Sequence, residues 1–207
     1  MKLDPRDLER KDFYNMLMAA LNPRPIAWVS TVGKDGVFNL APFSFFQAVS
    51  AKPPVVCFSV ASKRDGRKKD TLCNIEWGKD FVLNSVNEDL AKAMNLTSTE
   101  FPPEMDEFKE AGLTPLKSEL VKSPRVAESP INMECQVNQI LQFGQSPEFS
   151  SLIIGNVVRL HVKDQYCVDG EVDGWKLMNI GRLWGKYYCR ITDTFEMTMP
   201  GPYKPNK

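Results

Sequence analysis

Histidine is nearly absent from this 207-residue chain, which has one, His161. That scarcity excludes His-rich metal centres and leaves little for a Ser/His or Cys/His catalytic pair. The five cysteines (Cys57, Cys73, Cys135, Cys167 and Cys189) are odd in number and include no CxxC pair. A disulfide framework is therefore not expected, and reduced thiols suit a cytoplasm. Cys57 and Cys135 fall in apolar, strand-like runs, where a reduced cysteine acts as a small core residue. No apolar run approaches the length of a transmembrane helix. The N-terminus MKLDPRDLERKDF is charged throughout, with no apolar run like that of a signal peptide, so a soluble cytoplasmic protein is expected. Net charge is absent too: 26 Lys and Arg balance 26 Asp and Glu. There is no global attraction to nucleic acid or an anionic membrane, so any anion site must be local. A GxGxxG fingerprint is also missing, and with it any sign of a Rossmann dinucleotide domain.

What the chain does contain is concentrated between Arg24 and Thr71. Two apolar runs, Ile26 to Val32 and Val37 to Leu40, flank Lys34-Asp35-Gly36. Asp-Gly between β-rich segments predicts a hairpin, because glycine accepts the positive φ of such turns. A polar and aromatic segment, Asn39 to Phe46, leads to Lys52-Pro53-Pro54, which reads as a breaker. The strand Val55 to Val60 then opens into a cationic loop with Lys63, Arg64, Arg67, Lys68 and Lys69. That loop runs into Asp70-Thr71, which reads as a helix start with Asp70 as cap and Gly78 as stop. Cations entering a helix N-terminus suit a phosphate, although a basic loop alone also reads as a solvated turn.

Elsewhere, Asp4-Pro5 reads as a cap and first helical residue, and Asn22-Pro23 ends the helix that follows. Phe81 to Val86 reads as a buried strand and Asn87 as the cap of a helix through about Met94. Residues 95–121 change texture and read as a flap or insertion on a single domain spanning 1–207. They hold too few apolar residues for a core of their own. Ile131 to Phe143 and Leu152 to Val162 are long β runs joined through Gly144 to Pro147. Tyr187 to Thr194 is predicted as a last strand, and 196–207 as an extended tail. Many strands with few, short helices indicate a mainly β barrel.

Five segments in this order resemble the flavin reductase-like family of FMN-binding split barrels, the group that includes flavoredoxin. They are Arg24 to Thr31, Asn39 to Phe46, Lys69-Asp70-Thr71 with Asn74, Pro124 to Pro130, and Gly181 to Tyr188. The resemblance spans about Asp12 to Thr194. It implies a split β-barrel, FMN as cofactor, NAD(P)H as electron donor and a homodimer. The function implied is flavin reduction by hydride transfer. A flavoredoxin-like electron carrier with a redox protein partner is the alternative, and a nucleic-acid-binding barrel ranks far below both.

The same resemblance distributes the site residues. Lys63, Lys69, Asp70 and Thr71, aided by Ser44, fall at the phosphate. Asp70 would repel phosphate directly, so its role there is read as the cap that fixes Thr71. Val29, Ser30, Thr31, Asn39, Leu40, Ala41 and Pro42 fall along the flavin edge, largely through backbone groups, with Thr31 near the hydride-accepting N5. Trp184, with Tyr187 and Tyr188, would flank the ring, from the same or a second subunit. Apart from the resemblance, Arg159 and His161, on one face of the Leu152 to Val162 run, are candidates for contacting a nicotinamide donor. Each has a plainer alternative. The hydroxyls of Ser44 and Thr71 also suit a turn or cap, Thr31 and the aromatics suit a core, and Arg159 with His161 suits a surface pair.

Overall fold

The computed structural model describes residues 1–201. It begins with a 3-10 turn, Pro5–Asp7, whose cap is the Asp4 carboxylate accepting from the Arg6 N–H at 2.9 Å. Helix α1 (Arg10–Ala20) ends before Asn22-Pro23, with Met18 as its buried residue. Strands β1 (Ala27–Val32) and β2 (Phe38–Phe43) form the expected hairpin. Gly36 lies in its turn at φ 84°, a conformation that favours glycine. The sequence did not reveal β3 (Phe46–Ala51), which pairs with β4 (Pro54–Ala61). Lys52-Pro53 is the turn between them, so the expected breaker joins two paired strands.

Helix α2 (Asp70–Gly78) leads into β5 (Asp80–Asn84), and α3 (Ala91–Leu96) and α4 (Glu107–Glu110) follow. A short pair, β6 (Pro115–Leu116) and β7 (Arg125–Val126), precedes the long hairpin of β8 (Ile131–Gln145) and β9 (Glu148–Val162). Two small pairs close the chain: β10 (Cys167–Val168) with β11 (Glu171–Val172), and β12 (Ile180–Arg182) with β13 (Tyr188–Arg190). The predicted last strand is thus shorter than expected. Ile180–Arg182 offers only three partners, and among the described residues none beyond Arg190 is in a strand. Residues 196–201 are exposed and irregular, while the rest of the expected tail lies outside the described residues.

The main sheet has seven antiparallel strands in the order β2-β1-β5-β8-β9-β4-β3. Its end strands, β2 and β3, are joined in sequence by Ser44 and Phe45, so the sheet curls closed through chain continuity and not through a ladder. The result is a split β-barrel. Its interior is apolar because inward positions alternate along each strand. Phe58 sits between Phe43 and Phe81, with ring centroids 5.3 Å away on both sides. Gly155 makes room for this stack, since a Cβ there would lie 2.5 Å from the Phe81 ring.

A second apolar cluster covers the outer face of β1 and β2, where Trp28 and Leu40 meet Val86, Met94, Phe108 and Val126. Residues 95–121 contribute to it directly, and Phe108 is fully buried. Trp28 Nε1 donates to Thr97 Oγ1 at 2.9 Å, which fixes the start of this segment against the barrel. Two carboxylates hold its far end. Asp80 accepts from the N–H groups of Lys122 and Ser123, and Glu134 from those of Glu119 and Leu120. Among the described residues all five cysteines are free, and no helix is long and apolar enough to cross a membrane.

Candidate functional site

Two cavities meet against β2, sharing Pro42, Phe43 and Ser98 as a common wall. The smaller, about 130 Å³, is lined by Lys63, Lys69, Asp70 and Thr71 from the basic loop and the start of α2. Thr97, Ser98 and Thr99 face them from the end of α3, and Glu107 of α4 forms part of the same lining. The larger, about 370 Å³, is lined by Met18, Ile26, Met94 and Phe43 on its apolar side. Arg24, Ser44, Asn95, Arg182 and Tyr188 supply its polar side.

The smaller cavity is built by the hairpin and α2 together. Lys63 Nζ is 2.9 Å from Asp70 Oδ2, and Lys69 Nζ is 3.8 Å from Glu100 Oε1. The expected cap role of Asp70 is corrected. Lys69 is the cap residue, with no side-chain cap bond, and Asp70 is the first helical residue. Its carboxylate sits in the first turn, where it favours the helix dipole and holds Lys63 in place. The expected stop is also displaced by one: Gly78 remains helical and Lys79 takes the left-handed conformation at φ 61°.

Behind the cavity lies a buried polar chain. Thr71 Oγ1 donates to Asn39 Oδ1 at 2.7 Å, and Asn39 Nδ2 donates to Glu107 Oε1 at 2.8 Å. The Leu40 N–H donates to Glu107 Oε2 at 3.2 Å. Burial pushes the Glu107 carboxyl up to about 7; its hydrogen bonds oppose the rise and the Asp70 charge adds to it. Thr31 is wholly buried at the end of this chain, donating to Asn39 Oδ1 at 3.4 Å and accepting from Asn74 Nδ2 at 3.0 Å. It therefore stands behind Asn39 and lines neither cavity.

Of the remaining sequence candidates, Asn39, Ala41 and Pro42 line the smaller cavity and Ser44 the larger. Ser44 accepts from Arg24 Nε at 3.4 Å, away from the lysines that it was expected to assist. Val29 faces the barrel interior, and Leu40 packs into the outer cluster. Ser30 is buried and bonds to the Pro124 carbonyl. Trp184 is exposed and packs at a tilt against Tyr187, with ring centroids 5.9 Å apart; it lines neither cavity. Of the three expected aromatics, Tyr188 lines the cleft, with the Arg182 guanidinium 4.5 Å from its centroid, and Tyr14 and Phe43 line it as well.

Arg159 and His161 do not reach the cleft. Register places Pro42 beside Trp28, then Asn84, Asn132 and His161, four strands away around the curled sheet, and neither Arg159 nor His161 lines either cavity. His161 Nε2 instead lies 2.7 Å from Glu134 Oε1, and Arg159 pairs with Glu119 at 3.4 Å. Alternation along β9 put both residues on one face, but cross-strand distance decided what that face meets.

Several cleft residues escaped sequence reasoning. Thr97-Ser98-Thr99 was a visible signal, three hydroxyls in succession. Arg24 was visible too, but its role is a clamp: it donates to the carbonyls of Met18, Leu21 and Leu183. Glu107 carried no signal, because its burial depends on how α4 docks on β2.

A family model described as "Flavin reductase like domain" matches residues 18–174. An uncharacterised protein of Halalkalibacterium halodurans is 41% identical over 97% of this chain and 97% of its own. Nitrilotriacetate monooxygenase component B from Bacillus cereus is 36% identical, with TM-score 0.91 over 95% of this chain and 98% of its own. The 2-nitrobenzoate 2-nitroreductase NbaA of Pseudomonas fluorescens is 29% identical, with TM-score 0.88 over 100% of this chain and 99% of its own.

Proposed function

The chain belongs to the flavin reductase-like family, and on that premise we propose that its two-lobed cleft binds FMN and admits NAD(P)H as hydride donor. One observation carries this reading. Two lysines and a set of hydroxyls converge at one end of a cleft whose other end is broad, part apolar and part polar. That division suits a nucleotide with an anionic end and a flat, amphipathic body. One solved relative is named as a monooxygenase component and the other as a nitroreductase, and both names denote redox proteins.

Lys63, Lys69 and Thr71 would hold the phosphate, with Ser98 and Thr99 facing them. Asp70 positions Lys63 and keeps the cavity from becoming wholly cationic. Pro42 and Phe43 form the β2 wall that the two lobes share, and the backbone of 39–42 would run along the flavin edge. Tyr188 and Arg182 would border the body of the ligand. When bound, the flavin supplies the hydride-accepting chemistry, so a donor needs positioning and no side-chain acid or base. Thr31 would act through Asn39, holding its amide in place.

A homodimer belongs to the same reading. Trp184, Tyr187, Ile191, Phe195 and Met197 are all exposed between or after the cleft-bordering C-terminal strands, and a second subunit would cover them. Five free cysteines suit a reducing, cytoplasmic compartment. The test is an absorption spectrum of the purified protein, followed by steady-state oxidation of NADH and NADPH with added FMN. Flavin bands and turnover with either donor support a reductase. Flavin bands without turnover would favour the carrier with a protein partner, and no flavin affinity would end both readings.

A further inference from the structure

Glu107 is a buried carboxyl in the lining of the smaller cavity, and nothing in the hydride chemistry uses it. Its hydrogen bonds define which way the Asn39 amide points. With Glu107 ionised, both its oxygens are acceptors, so the Asn39 NH₂ must face it. The Asn39 carbonyl oxygen then faces Thr71 and takes the hydrogen of the Thr71 hydroxyl at 2.7 Å. In that arrangement Thr71 has no hydrogen left for a ligand in the cavity that it lines.

We propose that Glu107 is a positioning residue that couples phosphate binding to the uptake of one proton, through rotation of the Asn39 amide. One proton moves from solvent to Glu107 Oε1. The O–H then donates to the Asn39 carbonyl oxygen, which requires the amide to turn over. Its NH₂ now faces Thr71 and donates to Oγ1. The Thr71 hydroxyl is released to donate to an anion held by Lys63 and Lys69. The turn also breaks the 3.4 Å contact from the buried Thr31 hydroxyl, and leaving that hydrogen unpaired opposes the rotation, so the proton and the new anion bond must outweigh it. The same proton removes a negative charge from the cavity wall, which acts in the same direction.

The surrounding charges fit a group that titrates under ordinary conditions. The Asp70 charge on α2 opposes ionisation of Glu107; Glu100 on the 97–103 loop, Lys63 and Lys69 line the same cavity; on its own helix Asp106 caps the N-terminus, and Lys109 and Glu110 are exposed. Neither lysine bonds to Glu107, since Lys63 is held by Asp70 and Lys69 lies near Glu100. Burial therefore dominates, and the carboxyl sits at about 7.

This inference rests on the phosphate-end reading above, and the experiment separates the two. FMN and riboflavin are titrated calorimetrically from pH 6.5 to 9, in buffers of different ionisation heat, with the native protein and with Glu107→Gln. For the native protein, FMN affinity should fall as pH rises through about 7, by no more than the roughly tenfold to hundredfold that one released hydrogen bond is worth, with net proton uptake on FMN binding. Riboflavin binding should be flat and take up no proton. Glu107→Gln, whose amide mimics the neutral acid, should bind FMN at pH 8.5 as the native protein does near pH 6.5. FMN that outbinds riboflavin with no pH slope and no proton uptake overturns the coupling and leaves the phosphate site standing. A slope that survives in Glu107→Gln also overturns it. FMN and riboflavin binding alike at every pH removes the phosphate reading and this one with it. The native titrations alone decide the matter should the variant fail to fold.

Discussion

Glu107 and Glu134 are both buried carboxylates on the outside of the barrel, and they behave in opposite ways. Glu134 is fully buried, yet its carboxyl is held below the usual range. Burial pushes it up, but N–H groups of Glu119 at 2.8 Å and Leu120 at 2.6 Å, with His161 Nε2 at 2.7 Å, outweigh that push. Glu107 has one longer backbone donor and one neutral amide, with the Asp70 charge nearby, and it is raised to about 7. Burial is common to both, so burial does not set their roles. The donors do: Glu134 is a permanent tie for the 118–123 segment, and Glu107 is a group that exchanges its proton beside a cavity.

The largest expected effect comes from cutting the permanent tie. Glu134→Ala leaves two backbone N–H groups and His161 without their acceptor, and should cost about 3–5 kcal/mol in urea unfolding. Glu107→Gln keeps both hydrogen bonds and should change stability by less than about 1 kcal/mol at pH 5. A Glu134 variant as stable as the native protein would erase the contrast.

Packing gives a mid-sized effect and a control away from both carboxylates. Gly155→Ala drives a methyl into the Phe81 ring, and overpacking of this kind costs about 1–3 kcal/mol. The loss should be independent of pH, since no titrating group is involved. A pH-dependent loss would mean that the interior and the polar chain behind β2 are not separate.

The smallest and most discriminating effect is the sign of pH dependence. Glu107 is raised from 4.5 to about 7 in the folded protein, so its contribution to stability is complete below about 4.5 and is lost as pH rises through 7. Glu107→Gln should therefore gain on the native protein between those values, measured by thermal melts across pH. Glu134 is depressed, so its contribution is present above 4.5 and is lost as pH falls through its folded value. The deficit of Glu134→Gln should accordingly shrink in acid. Parallel curves for the two variants would contradict the opposite shifts.

Sequence revealed much of the scaffold and only part of the site, for physical reasons. The hairpin at Gly36 and the start of α2 follow from local backbone preferences, which a few residues decide. Strand β3 was missed because Gln47, Ser50 and a half-exposed face give no clean alternation. Thr71, Lys63 and Lys69, which line the smaller cavity, could be singled out because cations and hydroxyls beside a helix start form a local pattern. Glu107 was not found, because it reaches Asn39 across 68 positions of chain. His161 was misplaced for the converse reason: alternation gives the face of a strand, but not the number of strands between that face and a cleft.

The measurement that bears most directly on the cleft is a paired titration of FMN and riboflavin against the native protein and against Lys69→Ala and Thr71→Val, at pH 6.5. A hydrogen bond to a charged group contributes roughly 1.5–3 kcal/mol, or about tenfold to a hundredfold in affinity. FMN should bind more tightly than riboflavin by at least that factor, and each variant should weaken FMN by it while leaving riboflavin nearly unchanged. Equal losses for both ligands, or no loss for either, would contradict a phosphate site at Lys63, Lys69 and Thr71 and return the basic loop to a solvated turn.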